Sequence, residues 1–240
     1  MIKAISFDLW NTLIEVKTYR DQRMAFLEEL LRKRGYSPKK DTFLDVYEKV
    51  NNFGHDYAES AKFKHIHTKT RIKNMLEFLK YELDEEEIEH VRKYFENVLV
   101  EDPPPLKQDA KAVVEELSEQ YPLVIISDTG ITPGKNLRKM LAKYEILDYF
   151  DHTTFSDETG YFKPHEHNFH HTLTLLKRKA HEVVHIGDIL QTDVLGAKKA
   201  GMKSIWVRSM EYYRDGSEHE IRPDHIVENL KEVPQVIKEL

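Results

Sequence analysis

The sequence contains no cysteine. Disulfide bonds and all cysteine-based zinc sites are therefore excluded. A reducing, cytoplasmic setting fits this composition, because disulfides are rare there. The beginning of the chain also lacks a basic segment followed by a long apolar run, and no window approaches the roughly 18 consecutive apolar residues of a membrane helix. We therefore expect neither a signal peptide nor a membrane span.

An excess of basic residues is absent as well. The 36 Lys and Arg residues are outnumbered by 42 Asp and Glu, which gives a formal net charge of −6. Nucleic-acid binding usually requires a basic face, so we expect no nucleic-acid partner. Gln and Asn are sparse whereas 32% of the residues are charged, a mix typical of hyperthermophile proteins. With 240 residues, 40% of them hydrophobic, the chain can form one or two globular domains.

Between residues 16 and 100, apolar residues recur at helical spacing. The pattern predicts four amphipathic helices in succession, joined by short connections. Ser37-Pro38 is expected to begin the second helix as its N-cap and first helical position. Leu83 is expected to be the last apolar position of the third helix. Three consecutive prolines at 103–105 cannot continue a helix, so a helical domain is predicted at 16–100.

The remaining sequence alternates apolar, β-prone runs with helical segments. The predicted strands are 2–7, 123–126, 149–155, 183–186, 204–207 and a short 226–227. Such alternation predicts an α/β fold in which helices cover both faces of a Rossmann-like parallel sheet. Because the first strand is separated from the others by the helical section, that section is expected to be an insertion. The predicted domains are a core of 1–15 and 101–240 and an inserted helical domain of 16–100.

Several polar groups stand at or just beyond the predicted strand ends: Asp8, Ser127-Asp128-Thr129, Lys163, and Asp188 with Asp193. Parallel strands place their carboxyl ends on one edge of the sheet, so these groups can converge. Taken alone, Asp8 could equally begin a turn. Carboxylates suit a hard cation such as Mg²⁺, a lysine and a serine hydroxyl can hold an anion, and a carboxylate can act as a nucleophile. Phosphoryl transfer requires this combination of positioning and charge neutralisation.

Each of these groups lies in a short segment with characteristic neighbours. The segments are 7–13 (FDLWNTL), 126–128 (ISD), 163–164 (KP), and 187–193 followed by 196–202 (GAKKAGM). In this order they resemble the four motifs of the haloacid dehalogenase (HAD) superfamily, most of whose members are phosphatases, and 223–230 resembles the family's tail. The resemblance covers the α/β core. The helical insertion after the first motif resembles the family's type 1 cap, a four-helix domain.

The resemblance implies a role for each matched residue. Asp8 would be the nucleophile, Ser127 would hold the transferring phosphoryl group, and Lys163 would complete the catalytic set. The implied Mg²⁺ ligands are Asp8, the Trp10 carbonyl, Asp188 and Asp193. Further phosphate-binding positions would be Leu9, Trp10, Asn11 and Asp128, the last of which replaces the more usual Asn. The expected reaction is hydrolysis of a small phosphorylated metabolite through an aspartyl phosphate.

One position departs from the family's phosphatases. They usually carry a second Asp two residues after the nucleophile, which protonates the leaving oxygen and later activates water. Trp10 stands there in this sequence, and an indole cannot transfer protons. Family haloacid dehalogenases also have an aromatic at this position, but they use no metal and lack the acids of the fourth motif, so Asp188 and Asp193 favour Mg²⁺ and phosphate. Family phosphonatases form a third pattern, with Mg²⁺, no second Asp and a Schiff-base lysine in the cap.

Two alternative functions therefore stay open beside the phosphatase: a 2-haloacid dehalogenase, and a non-catalytic phosphate- or metabolite-binding protein in which Trp10 has ended turnover. A phospho-accepting receiver domain also uses Asp, Ser or Thr, and Lys, but such domains are shorter and lack an inserted bundle. General acid–base catalysis contributes typically about 10²–10⁴-fold. Its loss predicts a slow phosphatase or one selective for activated phosphates. The protein could be a monomer or a homodimer.

Three weaker features have both a functional and an ordinary interpretation. Arg20 and Arg23 open the first cap helix and could clamp a substrate phosphate or carboxylate, or be surface charge. Residues 61–73 carry five basic residues, two histidines and no acid; this segment could face an anionic substrate, supply a reactive lysine, or be a solvated helix face. The third feature is a histidine cluster, in which 167 and 171 are spaced as a metal pair and 165 could approach the site, although surface histidines are the simpler interpretation: His165, His167, His170 and His171.

Overall fold

A six-stranded parallel sheet lies at the centre of the chain. The computed structural model describes residues 1–52, 62–208 and 221–240. The strands are β1 Ala4–Phe7, β2 Leu123–Ser127, β3 His152–Phe155, β4 Val183–Gly187, β5 Lys203–Val207 and β6 His225–Val227. Their order is β3-β2-β1-β4-β5-β6, and each adjacent pair is parallel. The predicted α/β class is thereby confirmed.

A helical segment is inserted between β1 and β2. Its helices in the described residues are α1 Arg20–Lys33, α2 Lys40–Asn52, α3 Thr68–Leu79 and α4 Glu85–Glu101. They share a hydrophobic core of their own, in which Leu27, Phe43, Ile72 and Phe95 are fully buried. The apolar positions at helical spacing thus form the inner face of the cap. The domain boundaries proposed at 15/16 and 100/101 stay a prediction.

Helices also pack on both faces of the sheet. They are α5 Ala110–Ser118, α6 Gly134–Lys143, α7 Ser156–Thr159, α8 Glu166–Leu176, α9 Leu195–Lys199 and α10 Val233–Glu239. Ile5 and Phe7 of β1 belong to a core shared with α5, α6 and α10, whereas Ala4 belongs to one shared with α8 and α9. Alternate residues of a strand point to opposite faces, and both faces of β1 are covered, so β1 is buried along its whole length. Within the described ranges no helix combines the length and apolar character needed to cross a membrane.

The second helix begins later than predicted. α2 starts at Lys40, so Ser37-Pro38 is not its beginning. The Phe43 N–H donates to the Lys39 carbonyl oxygen at 3.0 Å, and this bond closes the first helical turn after the proline. Pro38 is buried ahead of the helix, where it packs instead of opening the first turn.

Two further boundaries differ from the prediction. α3 ends at Leu79 because Lys80 adopts a left-handed φ of 57°; Leu83 therefore lies beyond the helix and packs against the same cap core. The strand predicted at 149–155 begins only at His152, after a short 3₁₀ turn. The pairing of β3 with β2 starts at His152 opposite Val124, so the ladder holds only the later residues extended.

Gly196 of α9 allows a close contact between two helices. A Cβ on Gly196 would lie 2.3 Å from Cε2 of Phe169 in α8, and Phe169 is fully buried. Gly196→Ala is therefore expected to destabilise the protein by about 1–3 kcal/mol through overpacking, although alanine favours a helix interior by about 1 kcal/mol. The free energy of unfolding, measured in denaturant at equilibrium, tests this expectation.

Gly130→Ala provides the control for this substitution. A Cβ on Gly130 meets no atom within 4 Å, so we expect its free energy of unfolding to stay within about 0.5 kcal/mol of the wild type. A Gly196→Ala protein as stable as this control would contradict the close packing of α8 on α9.

Candidate active site

Three neighbouring strands end together at one edge of the sheet. Asp8 follows β1, Ser127 is the last residue of β2, and Asp188 follows β4. β1 pairs in parallel with both β2 and β4, so the three side chains are brought to the same edge. The connections diverge to opposite sides of β1 at this point, which is where open α/β sheets bind ligands.

Three buried carboxylates form the centre of this edge. Asp8, Asp188 and Asp193 each offer an oxygen, and these oxygens lie within 4.8 Å of one another. Asp193 comes from the single π-helical turn Leu190–Val194 after β4, and its Oδ2 accepts the Ile189 N–H at 3.0 Å. A Cβ on Gly187 would lie 2.3 Å from Asp193 Cγ, so only glycine leaves room for this carboxylate.

Lys163 neutralises part of this negative charge. Its buried Nζ donates to Asp8 Oδ1 at 2.6 Å and to Asp193 Oδ1 at 2.5 Å. Burial alone would lower the pKa of Lys163, but the surrounding carboxylates outweigh it and raise that pKa, so the lysine is charged. Burial would likewise raise the pKa of Asp193, but Lys163 and His185 lower it well below its usual range. Burial also raises the pKa of Asp8.

The backbone of Lys163 is fixed by Asp128. The Lys163 N–H donates to both carboxylate oxygens of Asp128, at 2.9 and 3.2 Å, and burial raises the pKa of Asp128 to about 7. The Trp10 indole N–H donates to the Asp128 carbonyl oxygen at 3.0 Å. The cap holds the same loop, because the Phe162 N–H donates to the Phe63 carbonyl oxygen at 2.6 Å. Asp128 thus orients the lysine, while its predicted phosphate contact stays a prediction.

Asp188 has one oxygen in use and one without a partner. Asn11 Nδ2 donates to Asp188 Oδ2 at 2.9 Å, whereas Asp188 Oδ1 is buried and has no hydrogen-bond partner among the described residues. Burial raises the pKa of Asp188 to about 8, and the charges of Asp193 and Asp8 add to the effect. An unpartnered carboxylate oxygen beside two other acids is the donor set of a hard divalent cation. These residues therefore fit Mg²⁺.

The Ser127 hydroxyl is also unpartnered. Its Oγ is buried and forms no hydrogen bond to any residue in the described ranges. A buried polar atom without a partner is costly, and an anion bound at the strand ends would accept a hydrogen bond from this hydroxyl. The phosphoryl-holding role that the resemblance implies for Ser127 stays a prediction.

The backbone N–H groups of the loop after Asp8, which were predicted to bind phosphate, differ in their hydrogen bonding. The N–H groups of Leu9 and Trp10 take part in no hydrogen bond among the described residues, whereas the Asn11 N–H donates to the Ile14 carbonyl oxygen at 2.7 Å. The Asn11 amide is therefore already used within the loop, and its predicted phosphate contact stays a prediction. The Asn11 side chain supports Asp188 instead.

Two supporting residues escaped the sequence analysis. Lys107 Nζ donates to Asn11 Oδ1 at 3.1 Å, a contact between positions far apart in the sequence that no local pattern indicates. His185 lies in β4, with Nε2 3.1 Å from Asp193 Oδ1 and Nδ1 2.8 Å from Ser6 Oγ. A polar residue inside an otherwise apolar buried strand was the available signal for His185.

A cavity of about 770 Å³ opens from the acid cluster toward the cap. This volume is that of a small-molecule site. Arg23 lines it, whereas Arg20 lies outside it and pairs with Asp21 and Glu48 at 2.9 and 3.0 Å. Only one of the two predicted cap arginines therefore reaches the cavity. The cap residues at its wall are Val16, Arg23, Tyr47, Asn51, Phe63 and Arg71.

The basic segment 61–73 divides between cavity and surface. Ala61 lies outside the described residues. Arg71 lines the cavity, whereas Lys69 and Lys73 pair with Glu85 at 2.7 and 2.5 Å on the surface of the cap. Of the basic residues described in this segment, Arg71 alone lines the cavity and could face an anionic substrate. The described lysines of the segment do not line the cavity.

The histidine cluster lies away from the cavity. The His167 and His171 rings are 6.3 Å apart and exposed, and His165 stacks on Tyr161 at 4.0 Å. None of these histidines lines the cavity. Their exposure favours the surface interpretation.

Comparison with known proteins gives a family match. A model of haloacid dehalogenase-like hydrolases matches residues 2–201. Glyceraldehyde 3-phosphate phosphatase of Pyrococcus furiosus is 31% identical over 128 residues, which is 53% of this chain and 52% of that protein. The chain spans about half the length of the curated relatives it matches.

Solved structures share the fold over the whole chain. A 2-haloacid dehalogenase from Pseudomonas syringae pv. Tomato DC3000 superimposes with a TM-score of 0.71 and 21% identity, covering 100% of this chain and 99% of that one. A HAD phosphatase from Thermococcus onnurineus gives a TM-score of 0.65 and 23% identity, covering 98% of both. At these identities the likeness shows the fold alone, and the fold occurs in both activities.

Mg²⁺ is expected to stabilise this protein through the acid cluster. An ion present at 100 times its Kd adds about 2.7 kcal/mol, or roughly 5–10 °C in Tm for a chain of this size. Asp188→Asn keeps an oxygen for Asn11 but cannot ionise. At pH 7 and without Mg²⁺ its Tm is expected to stay close to that of the wild type, because the raised pKa leaves Asp188 mostly protonated, and most of the Mg²⁺-dependent rise should be lost. Thermal unfolding by circular dichroism, with and without MgCl₂, measures both effects.

The matched control is Glu29→Gln, which removes a surface acid whose side chain is 68% exposed and pairs with Lys33. This variant should respond to Mg²⁺ as the wild type does. An equal Mg²⁺ response in Asp188→Asn would show that the ion binds elsewhere.

Proposed function

The chain belongs to the haloacid dehalogenase-like hydrolase family, and within it we propose that the protein is a Mg²⁺-dependent phosphatase of a small phosphorylated metabolite. The observation that carries this proposal is the pairing of two incomplete sites. In the buried acid cluster, Asp188 has an oxygen without a hydrogen-bond partner that could bind a cation. At the end of the neighbouring strand β2, the Ser127 hydroxyl has no partner among the described residues and could bind an anion. The relative named as a glyceraldehyde 3-phosphate phosphatase supports a small sugar phosphate as the class of substrate.

The proposed reaction uses Asp8 as the nucleophile. Lys163 holds its Oδ1, which leaves Oδ2 to attack phosphorus. The bond from Asp8 to phosphorus forms while the ester oxygen departs, giving an aspartyl phosphate. Water then attacks the same phosphorus, phosphate is released and the Asp8 carboxylate is regenerated. The Ser127 hydroxyl donates a hydrogen bond to a phosphoryl oxygen, and Lys163 offsets the negative charge.

Asp8, Asp188 and the Trp10 carbonyl are the groups proposed to hold Mg²⁺. When bound, the ion would neutralise charge on the phosphoryl oxygens. Asp193 contributes differently, because its Oδ1 already accepts from Lys163 and its Oδ2 from the Ile189 N–H. We propose that Asp193 supplies negative charge and positions Lys163, and that any contact to the ion is secondary to this role.

Trp10 determines which substrates are expected to react well. No proton can pass from an indole ring to the departing ester oxygen, so this oxygen must take its proton from solvent. Alkyl phosphates, whose leaving oxygen is strongly basic, are slowed most by this loss. We therefore propose a slow phosphatase or one selective for good leaving groups.

The dehalogenase alternative draws on the same residue. An aromatic residue after Asp8 fits that activity, in which halide departs without a proton. Three clustered carboxylates argue against it. Burying Asp188 Oδ1 without a hydrogen-bond partner costs free energy, and a site that binds no cation would have nothing to offset that cost. A binding protein without turnover is the remaining alternative, and it differs from the phosphatase only in rate.

Phosphate release from p-nitrophenyl phosphate is expected to require both Mg²⁺ and Asp8. This ester has a good leaving group, so Trp10 should not abolish turnover. Asp8→Asn removes the nucleophile and is expected to lower kcat by more than about 10³-fold. Chelation of Mg²⁺ with EDTA should have a similar effect, and a colorimetric assay measures both.

The control variant is Asp21→Asn, a surface acid whose side chain is 79% exposed, which should behave as the wild type. Chloride release from 2-chloropropionate without Mg²⁺ would establish the dehalogenase instead. Absence of both activities, with Mg²⁺-dependent phosphate binding retained, would leave the binding protein.

Trp10→Asp is expected to restore acid–base catalysis. The new carboxyl can protonate an alkyl leaving group, so the ratio of kcat/KM for glycerol 2-phosphate to that for p-nitrophenyl phosphate should rise by about tenfold or more. Trp10→Phe is the matched comparison, since it also loses the hydrogen bond to Asp128 but adds no acid. Equal ratios in the two variants would mean that Trp10 does not occupy the place of the proton donor.

A further inference from the structure

We propose that the substrate carries a second anionic group, a carboxylate or a second phosphate, which is bound by Arg23 and Arg71 of the cap. The inference rests on the proposed function, because it assumes that the phosphate ester reacts at Asp8. It adds the chemistry of the rest of the substrate. The substrate class is a small phosphate ester with two negatively charged ends.

Arg71 is a buried cation that pairs with no carboxylate among residues 1–52, 62–208 and 221–240. It is 4% exposed and lines the cavity. Its Nε donates to the Ile66 carbonyl oxygen at 3.0 Å, and Nη1 donates to the Val50 carbonyl oxygen and to Asn51 Oδ1, both at 3.3 Å. No hydrogen bond to a described residue uses Nη2. Burial lowers the pKa of Arg71 to about 10, so the group is still charged at neutral pH.

Arg23 has the same character. It is 6% exposed and lines the same cavity. Its three hydrogen bonds go to the Phe95 carbonyl oxygen at 3.0 Å, the Tyr47 hydroxyl at 3.3 Å and Thr132 Oγ1 at 3.1 Å. Each terminal nitrogen of a guanidinium carries two hydrogens, so Nη1 and Nη2 each retain one N–H beyond these bonds.

The other arginines of the cap behave differently. Arg20, Arg32 and Arg34 lie at the surface, Arg92 is partly buried, and each of the four pairs with at least one carboxylate. For the two arginines in the cavity, every hydrogen-bond partner in the described part of the chain is a neutral oxygen, and Arg23 also lies over the Tyr19 ring at 5.5 Å. Buried charges are normally paired, because an unpaired one is costly. A guanidinium fork matches carboxylate and phosphate oxygens, so an anionic ligand would supply the missing charge.

The two arginines and the acid cluster line different parts of the same cavity. Asp8, Lys163 and Asp188 line the core end, where the ester phosphate is expected, and Arg23 and Arg71 are contributed by the cap. Four buried acids surround Lys163 at the core end, and they repel any further anion placed there: Asp8, Asp128, Asp188 and Asp193. The second negative group of a substrate is therefore directed toward the cap. A cavity of about 770 Å³ has room for a molecule with both ends charged.

The test compares substrates that differ in one group. 3-Phosphoglycerate and glycerol 1-phosphate differ in a carboxylate, whereas fructose 1,6-bisphosphate and fructose 6-phosphate differ in a phosphate. We expect the wild type to favour the doubly anionic member of at least one pair by about tenfold or more in kcat/KM, as suits charge-assisted hydrogen bonds. The pair that responds identifies the second group. No preference in either pair would overturn the proposal.

Substitutions of Arg71 and Arg23 test whether these residues cause the preference for doubly anionic substrates. Arg71→Gln should reduce the ratio within the responding pair to about threefold or less, and Arg71→Lys, which keeps the charge but loses the fork, should give an intermediate ratio. Arg32→Gln on the exposed side of α1 is the matched control and should keep the wild-type ratio. Each variant's Tm is recorded, because a purely structural role would lower Tm without changing the ratio. If Arg71→Gln does not fold, Arg71→Lys and Arg23→Gln decide the assignment, and an unchanged ratio in every folded variant would sink it.

A binding measurement separates this inference from the proposed function. Calorimetric titration of Asp8→Asn with the same four compounds gives the ratio of Kd values without turnover. Hydrolysis of p-nitrophenyl phosphate with no second-anion preference would refute the inference and leave the phosphatase standing. Absence of all hydrolysis, together with a tenfold binding preference, would refute the phosphatase and leave the anion site standing.

Discussion

The ion pairs of Lys163 with Asp8 and Asp193 are the interaction on which the site depends. A single ammonium group offsets several buried carboxylates, each of which would otherwise repel the others at short range. Buried ion pairs contribute little net stability, because desolvation cancels much of the attraction. An arrangement with more acids than bases is the charge distribution that the proposed Mg²⁺ site would require. The fold supports it by anchoring the Lys163 backbone to Asp128, so the lysine is held at both ends.

The sequence allowed some of this to be predicted, for a clear physical reason. Asp8 and Asp188 directly follow buried apolar strands, and parallel strands bring their ends together. Lys163 lies in the loop beyond β3, so the strand pattern placed it at the right edge of the sheet but could not give its contacts with Asp8 and Asp193. What positions it is a hydrogen bond to Asp128, 35 residues away in the sequence. Contacts of this kind depend on how the loops close, and no local spacing encodes them.

In the cap, too, local sequence patterns could not predict which side chains reach the cavity. Arg20 and Arg23 looked equivalent at the start of a helix, yet only Arg23 points into the cavity. Arg23 precedes Met24 on the buried side of α1, whereas Arg20 occupies the first turn and reaches Glu48. Arg71 belonged to a segment with five basic residues whose composition could not distinguish its members. The difference arises from packing: Lys69 and Lys73 find Glu85 on α4, while Arg71 turns inward to bond the end of α2.

The role proposed for the cap arginines is linked to the absence of a proton donor at Trp10. In the proposed reaction Trp10 provides no proton donor beside the leaving oxygen, so the barrier would have to be lowered by other means. Binding energy from a part of the substrate far from the reacting bond can be used to orient the ester and to exclude water. Two buried guanidinium groups without carboxylate partners in the described chain are a concentrated source of such energy, and the cap that carries them also contacts the Lys163 loop through Phe63. A substrate held by the arginines would therefore tighten the cap onto the same loop that presents Lys163 to Asp8. In this arrangement, tight recognition by the cap would partly compensate for the proton donor that the core lacks.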